Sequence, residues 1–218
     1  MRFRDRQEAG QLLAQALAFL KREKDVIVLG IPRGGVVVAA EVARALDAPL
    51  DVCITRKIGA PYNPELAIGA IASSGDVVLD EKLISVLDVS PEYIQGEIQQ
   101  QRREIERRLK KYRGNRPAQK LEGKTILLVD DGVATGATTM ATIRALKRQK
   151  PAKLILAIPV GPPDAVARLR EEVDELVCLV TPQPFWAVGA HYLVFDQTPD
   201  EEVVRLLQEN RSGMTGAE

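Results

Sequence analysis

The chain has two cysteines, one histidine, no excess of charge and no long apolar run, and each shortage removes a class of explanation. Cys53 and Cys178 both sit in apolar, strand-like runs, so they read as buried free thiols and fit a reducing cytoplasm. His191 stands alone, with no neighbouring cluster of metal-ligand type. Thirty basic side chains against thirty acidic ones give no general attraction to nucleic acid or to an anionic membrane. The opening "MRFRDRQEAGQLLAQALAFLKREK" begins basic, but Asp5, Glu8 and Gln11 interrupt its apolar positions and no small-residue cleavage site follows. An amphipathic helix is expected there, not a signal peptide, and no membrane span is expected anywhere. Repeats and low-complexity segments are also missing, and only "RSGMTGAE" at the end reads as frayed.

What is present is an ordinary mixture: 218 residues, 45% hydrophobic, enough for one substantial core and a single domain over 1–218. Short apolar runs alternate with helical patterns, which predicts an α/β fold with a mostly parallel sheet. Strands are expected at 26–30, 50–55, 66–72, 125–129, 153–160 and 175–180. Helices are expected at 5–21, 34–46, 80–86, 91–113, 137–149, 163–172 and 199–209.

The run "PEYIQGEIQQQRREIERRLKKYR" departs from that alternation. It places Ile94, Ile98, Ile105, Leu109 and Tyr112 on one stripe, with Gln101 filling a gap. Glu104 and Arg108, like Glu106 and Lys110, are spaced for i,i+4 ion pairs. It reads as an inserted arm packing on the core or on a second subunit; the basic run from Arg107 to Arg116 leaves an RNA-binding helix as the alternative.

The chemistry is concentrated where strands end, the place where open α/β sheets bind ligands. In "TILLVDDGVATGATTMATI" a fully apolar strand stops at Asp130 and Asp131, acids that packing does not need. Gly132, Ala134, Gly136 and Ala137 then keep side chains out of the way, so backbone N–H groups are free to converge on an anion. Thr135 and Thr138 add hydroxyl donors, and the following helix adds its positive end. Carboxylates beside a phosphate cradle want a neighbour with donors, such as a sugar's vicinal hydroxyls, so a phosphorylated sugar is the expected ligand. A P-loop ATPase is the competing reading. However, "AQKLEGKT" has Ala118 in place of the first glycine, and a strand rather than a helix follows Lys124.

The segment "LLVDDGVATGATT" closely resembles the phosphoribosyl-pyrophosphate (PRPP) signature of type I phosphoribosyltransferases. The resemblance implies a parallel twisted sheet flanked by helices and a small C-terminal hood over 181–198; the helical insertion over 80–116 has no counterpart in the family's common salvage enzymes. It implies that Asp130 and Asp131 hold the ribose hydroxyls, and that Ala134, Thr135, Gly136, Ala137 and Thr138 bind the 5′-phosphate. In "VLGIPRGGVVVAAEVARAL" a strand runs into a second anion-capable junction. By itself this is a tight turn with a solvated arginine; beside the first motif it resembles the family's pyrophosphate loop, which assigns Pro32, Arg33, Gly34 and Gly35. After the next strand, Arg56 and Lys57 resemble the basic site for pyrophosphate, and the Gly/Pro-rich segment beyond them resembles a lid. Glu65 then either contacts the reacting ribose or base or is a surface acid on an edge strand.

The segment "TPQPFWAVGAHYLVFDQTPDEEV" resembles the hood of purine-type members. That resemblance makes Phe185, Trp186 and Val188 the base contacts and brings Asp196 towards the Mg²⁺ that accompanies PRPP. Trp186 has a second reading as a core or dimer residue. Two departures bear on substrate: Ala134 stands where 6-oxopurine enzymes carry an acid, and "AIPVGPP" lacks their lysine, so hypoxanthine and guanine are disfavoured. The implied reaction is transfer of the phosphoribosyl group to a nucleobase-like nitrogen, in a cytoplasmic homo-oligomer such as a dimer serving nucleotide metabolism. A PRPP- or nucleotide-sensing regulator that binds RNA or DNA through its basic helix is the alternative, and a partner-binding protein with a degenerate site is a third.

Overall fold

The computed structural model describes residues 2–215, the side chains of Glu65, Met214 and Thr215 excepted. Its centre is built from the most apolar runs of the chain. β1 (Val26–Gly30), β6 (Thr125–Val129) and β7 (Lys153–Val160) are buried almost throughout, as strands covered by helices on both faces must be. With β2 (Leu50–Val52) and β8 (Glu175–Val180) they form one parallel sheet in the order β2-β1-β6-β7-β8. Gly30 pairs with Val129, so β1 and β6 end level, while β7 runs three residues past Ala157, the partner of Val129.

Alternate residues feed two cores, as the period of two requires. Val28, Leu127, Val129 and Ile155 face a cluster completed by α1 (Arg6–Ala16), α2 (Gly34–Leu46) and α7 (Asp200–Thr215). Ile27, Leu29, Ile126, Leu128 and Leu156 face the opposite cluster, closed by α5 (Ala137–Arg148) and α6 (Pro163–Arg170).

The expected strand 50–55 is two strands. The chain leaves the parallel sheet at Cys53 and Ile54 and starts β3 (Thr55–Ala60), which turns back as β4 (Asn63–Ala72) and pairs on to β5 (Val77–Leu79). This second sheet is antiparallel throughout. The segment expected to be a loop-like lid is therefore a hairpin with its tip at residues 61–62. Residues 81–86 form α3 (Glu81–Val86), and α4 (Pro91–Arg113) follows, capped by Ser90, whose hydroxyl accepts from the Tyr93 N–H. Ile94, Ile98, Gln101, Ile105 and Tyr112 are buried along one face of α4, which packs on β3, β4 and α7. The first helix is shorter than expected, ending at Ala16 before a 3-10 turn over Ala18–Arg22.

Candidate functional site

The site begins where β6 ends. Val133 is buried and its N–H bonds to the Val160 carbonyl at 2.9 Å, pinning the middle of the following loop to β7. On either side of that pin, Ala134, Thr135, Ala137 and Thr138 are exposed. Gly136 takes a left-handed conformation (φ +78°) that L side chains resist, which turns the chain into α5. The first N–H groups of α5 lack partners within their own helix, and the positive end of its dipole lies at the same place. From behind, Arg168 of α6 holds the Thr135 carbonyl at 3.2 Å. The result is an exposed loop over 134–138 at the positive end of α5, the kind of place that can cradle an anion.

Asp130 and Asp131 stand directly before that cradle. The Asp131 N–H donates to Asp130 Oδ1 at 2.9 Å, so the two carboxyls are held side by side. Burial, and then the charge of Asp131, pushes the Asp130 carboxyl well above the usual carboxylate range. Tyr192 donates its hydroxyl to the Asp131 carbonyl at 2.5 Å; burial and then Asp131 raise its own ionisation.

The loop after β1 comes to the same point. Its Pro32–Arg33 peptide is cis, and α2 starts at Gly34. A Cβ on Gly35 would lie 2.8 Å from Asp130 Oδ1, and one on Gly34 would collide with Asp131 Oδ2, so glycine is what lets the two loops touch. Arg33 is half-buried and electrostatically linked to Asp200 and Tyr112. Successive residues of β3 point to opposite faces. Arg56 turns towards α4, where its Nε donates to the buried Gln101 Oε1 at 2.9 Å, while Lys57 is exposed. Glu65 lies in β4, and its side chain is outside the described residues.

The hood residues are spread unevenly. Phe185 stacks on His191 (5.5 Å between ring centroids), and both Phe185 and Val188 pack against the small core of Phe3, Ala9, Val160 and Tyr192. Trp186 is 84% exposed, which rules it out of the core of this chain. Asp196 is exposed, and its backbone carbonyl accepts from Arg6 Nη1 at 2.7 Å. Arg6 is the residue that sequence reasoning missed: its Nε also meets Asp131 Oδ2 at 2.7 Å, inside the pair of acids. Its partner lies 125 positions away, and no local pattern announces the contact.

The acids Asp130 and Asp131, the exposed loop that follows them and the glycine loop at 34–35 lie together at the ends of β1 and β6, near a segment that carries Phe185 and Trp186. The phosphoribosyl transferase domain model matches residues 3–194 of the chain. The chain belongs to the phosphoribosyl transferase domain family. Two relatives from Mycobacterium tuberculosis, "Putative phosphoribosyl transferase MT0597" (strain CDC 1551) and "Putative phosphoribosyl transferase Rv0571c" (strain H37Rv), are each 46% identical over 205 residues. The match covers 94% of this chain and 46% of each relative, so the chain spans about half the length of the curated relatives it matches. Among solved structures, TT1426 from Thermus thermophilus is 46% identical with a TM-score of 0.86, over 96% of this chain and 99% of that one. A hypothetical protein from Neisseria gonorrhoeae, solved with bound ppGpp, covers 97% of this chain and 99% of its own at 15% identity and a TM-score of 0.50, a likeness of fold alone.

Within this phosphoribosyl transferase domain, the basic face of α4 is largely committed to internal partners. Arg107 and Arg108 bind Glu104, Lys111 binds Asp200 and Glu201, and Arg113 is buried against Asp51. Arg107 and Arg108 share the one Glu104 carboxylate, so these contacts offset only part of the charge of the basic run. Among the described residues, no three His, Cys, Asp or Glu side chains gather as a metal site. No helix among the described residues is long and apolar enough to cross a membrane.

Proposed function

We propose that the protein is a phosphoribosyltransferase that takes Mg²⁺-bound PRPP, releases pyrophosphate and joins C1′ of the ribose to a ring nitrogen of a nucleobase-like acceptor. The observation that carries this reading is the meeting of three parts at one point: the cradle at 134–138, the acids Asp130 and Asp131, and the glycine loop at 34–35 packed against them.

In this reading the 5′-phosphate rests on Ala134, Thr135, Gly136, Ala137 and Thr138, and the two acids accept from the ribose hydroxyls. The Pro32–Gly35 loop, with Arg33, Arg56 and Lys57, faces the pyrophosphate, where cations stabilise the charge that grows as the C1′–O bond breaks. Arg56 releases Gln101 to take part. Anchoring both ends of the sugar keeps C1′ in line for the incoming nitrogen, so positioning supplies most of the rate. Phe185, Trp186 and Val188 form the acceptor side, with Trp186 free to stack on a planar base. Glu65 contacts the reacting ribose or base, and Asp196 approaches the Mg²⁺. The absence of an acid at Ala134 argues against 6-oxopurine acceptors. A dimeric, cytoplasmic enzyme of nucleotide metabolism is the setting this reading implies.

The test is a screen for PRPP-dependent pyrophosphate release across nucleobases, with Asp130→Asn plus Asp131→Asn as the control. Release from the parent that disappears in the double variant supports the assignment. Release that survives in the double variant overturns the ribose site.

A further inference from the structure

Arg6 sits where local structure gives it no reason to be. It is the first residue of α1, a helix capped by Asp5, whose side chain accepts from the Glu8 N–H. A cation there faces the positive end of the helix dipole, so α1 gains nothing from it. Yet the side chain is only 12% exposed, and it makes three different kinds of contact. Nε donates to Asp131 Oδ2 at 2.7 Å, Nη1 donates to the Asp196 carbonyl at 2.7 Å, and the guanidinium lies 3.9 Å over the Phe195 ring. A Cβ on Gly34 would come within 2.6 Å of Arg6 Nε, so the same contact borders the pyrophosphate loop.

The backbone before Arg6 is fastened to the hood. The Phe3 N–H donates to the His191 carbonyl at 2.8 Å, the Leu193 N–H to the Phe3 carbonyl at 2.8 Å, and the Val194 N–H to the Arg4 carbonyl at 2.9 Å. Phe3 is fully buried against Tyr192, and Tyr192 in turn donates its hydroxyl to the Asp131 carbonyl. Hood, N-terminal segment and the Asp131 backbone are thus joined by hydrogen bonds and packing.

We propose that Arg6 is a positioning residue: it holds Asp131 through Oδ2, leaves the other oxygen to a sugar hydroxyl, and transmits occupancy of the ribose site to the hood through Phe195 and Asp196. The inference rests on the phosphoribosyl reading of Asp131. An ionised carboxylate accepts at both oxygens, so a fixed bond at one leaves the other oriented and usable. Only a rigid fork meets a carboxylate, a carbonyl and an aromatic face at once, and lysine lacks that geometry.

Calorimetry with ribose 5-phosphate and with inorganic pyrophosphate separates this role from general support. Arg6→Met is expected to weaken ribose 5-phosphate by roughly tenfold or more while leaving pyrophosphate within about twofold. Trp186, the one tryptophan of the chain, stands in the hood and reports on the coupling. Its emission should respond to ribose 5-phosphate in the parent and not in Arg6→Met. Arg6→Lys should recover part of the affinity without the emission response. Phe195→Leu, which keeps both charges, should lose the emission response and retain most of the affinity; it keeps the test decisive if Arg6→Met does not fold. Unchanged ribose 5-phosphate binding in Arg6→Met, or an equal loss for both ligands, overturns the proposal. A parent that binds neither ligand overturns the phosphoribosyl reading itself, and the role of Arg6 with it.

Discussion

Arg113 and Arg6 each cross the molecule to meet an aspartate in a contact that water barely reaches, and their surroundings differ in one decisive respect. Arg113, at the end of α4, binds Asp51 Oδ1 at 2.8 Å and the Val52 carbonyl at 2.9 Å, and the Val52 N–H donates to that same Asp51 oxygen. Both side chains are more than nine-tenths buried. There Asp51 Oδ1 is taken by both Arg113 and the Val52 N–H, beside a small cavity, and the pair fastens α4 to the sheet edge. At Arg6, Asp131 Oδ2 is taken, while the loop over 134–138 that follows the acids stays exposed. A closed ion pair holds a fold together, whereas a half-satisfied one leaves capacity for a ligand.

The largest expected effect tests the open region. Asp130→Asn with Asp131→Asn should cut phosphoribosyl transfer by about a thousandfold, the scale of losing transition-state anchoring, in a protein that its urea curve shows still folded under assay conditions. A variant that no longer folds would make the acids structural and dissolve the contrast. Next, Arg113→Met should cost about 3–5 kcal/mol in urea unfolding, because it strands a buried carboxylate. Adding Asp51→Asn should return most of that loss, and ribose 5-phosphate affinity of the folded protein should not move. Thr142→Val probes the seam between the regions. The Thr142 hydroxyl joins Thr55 Oγ1 at 2.9 Å and the Thr138 carbonyl at 2.8 Å, and its loss should cost about 1 kcal/mol.

The smallest effect concerns pH. A carboxyl whose ionisation is raised on folding stabilises the protein below its unfolded value, and that contribution is lost as pH rises through the folded value. For Asp130 the ordinary value is 3.8 and the folded one lies well above it. Asp130→Asn, which cannot ionise, should therefore melt higher than the parent near neutral pH, with the gap closing below about pH 4. A gap of the opposite sign would remove burial as the cause.

The open region was readable in the sequence because its parts are contiguous. Strand, acids, loop and helix follow one another from Thr125 to Arg148, and β1, β6, β7, β8, α2 and α4 have the expected bounds. The second sheet was harder to read. β3 begins with polar Thr55, Arg56 and Lys57, and β5 has only three residues, so neither shows an apolar run. The stripe on α4 predicted its buried face, but nothing local said that Arg113 would be drawn inside with it. Arg6 lay beyond reach for the same reason: charge in a sequence reads as surface until a distant partner is known. Free cysteines were expected and found, though Cys178 is only partly buried while burial pushes the Cys53 thiol up to about 12.

Gly34 touches both Asp131 and Arg6, so three positions far apart in the sequence share one small volume. Over evolutionary time they cannot drift one at a time. In relatives that place a larger residue at 34, positions 6 and 131 should have changed as well, and such chains would be the first place to look for a family member with a different ligand.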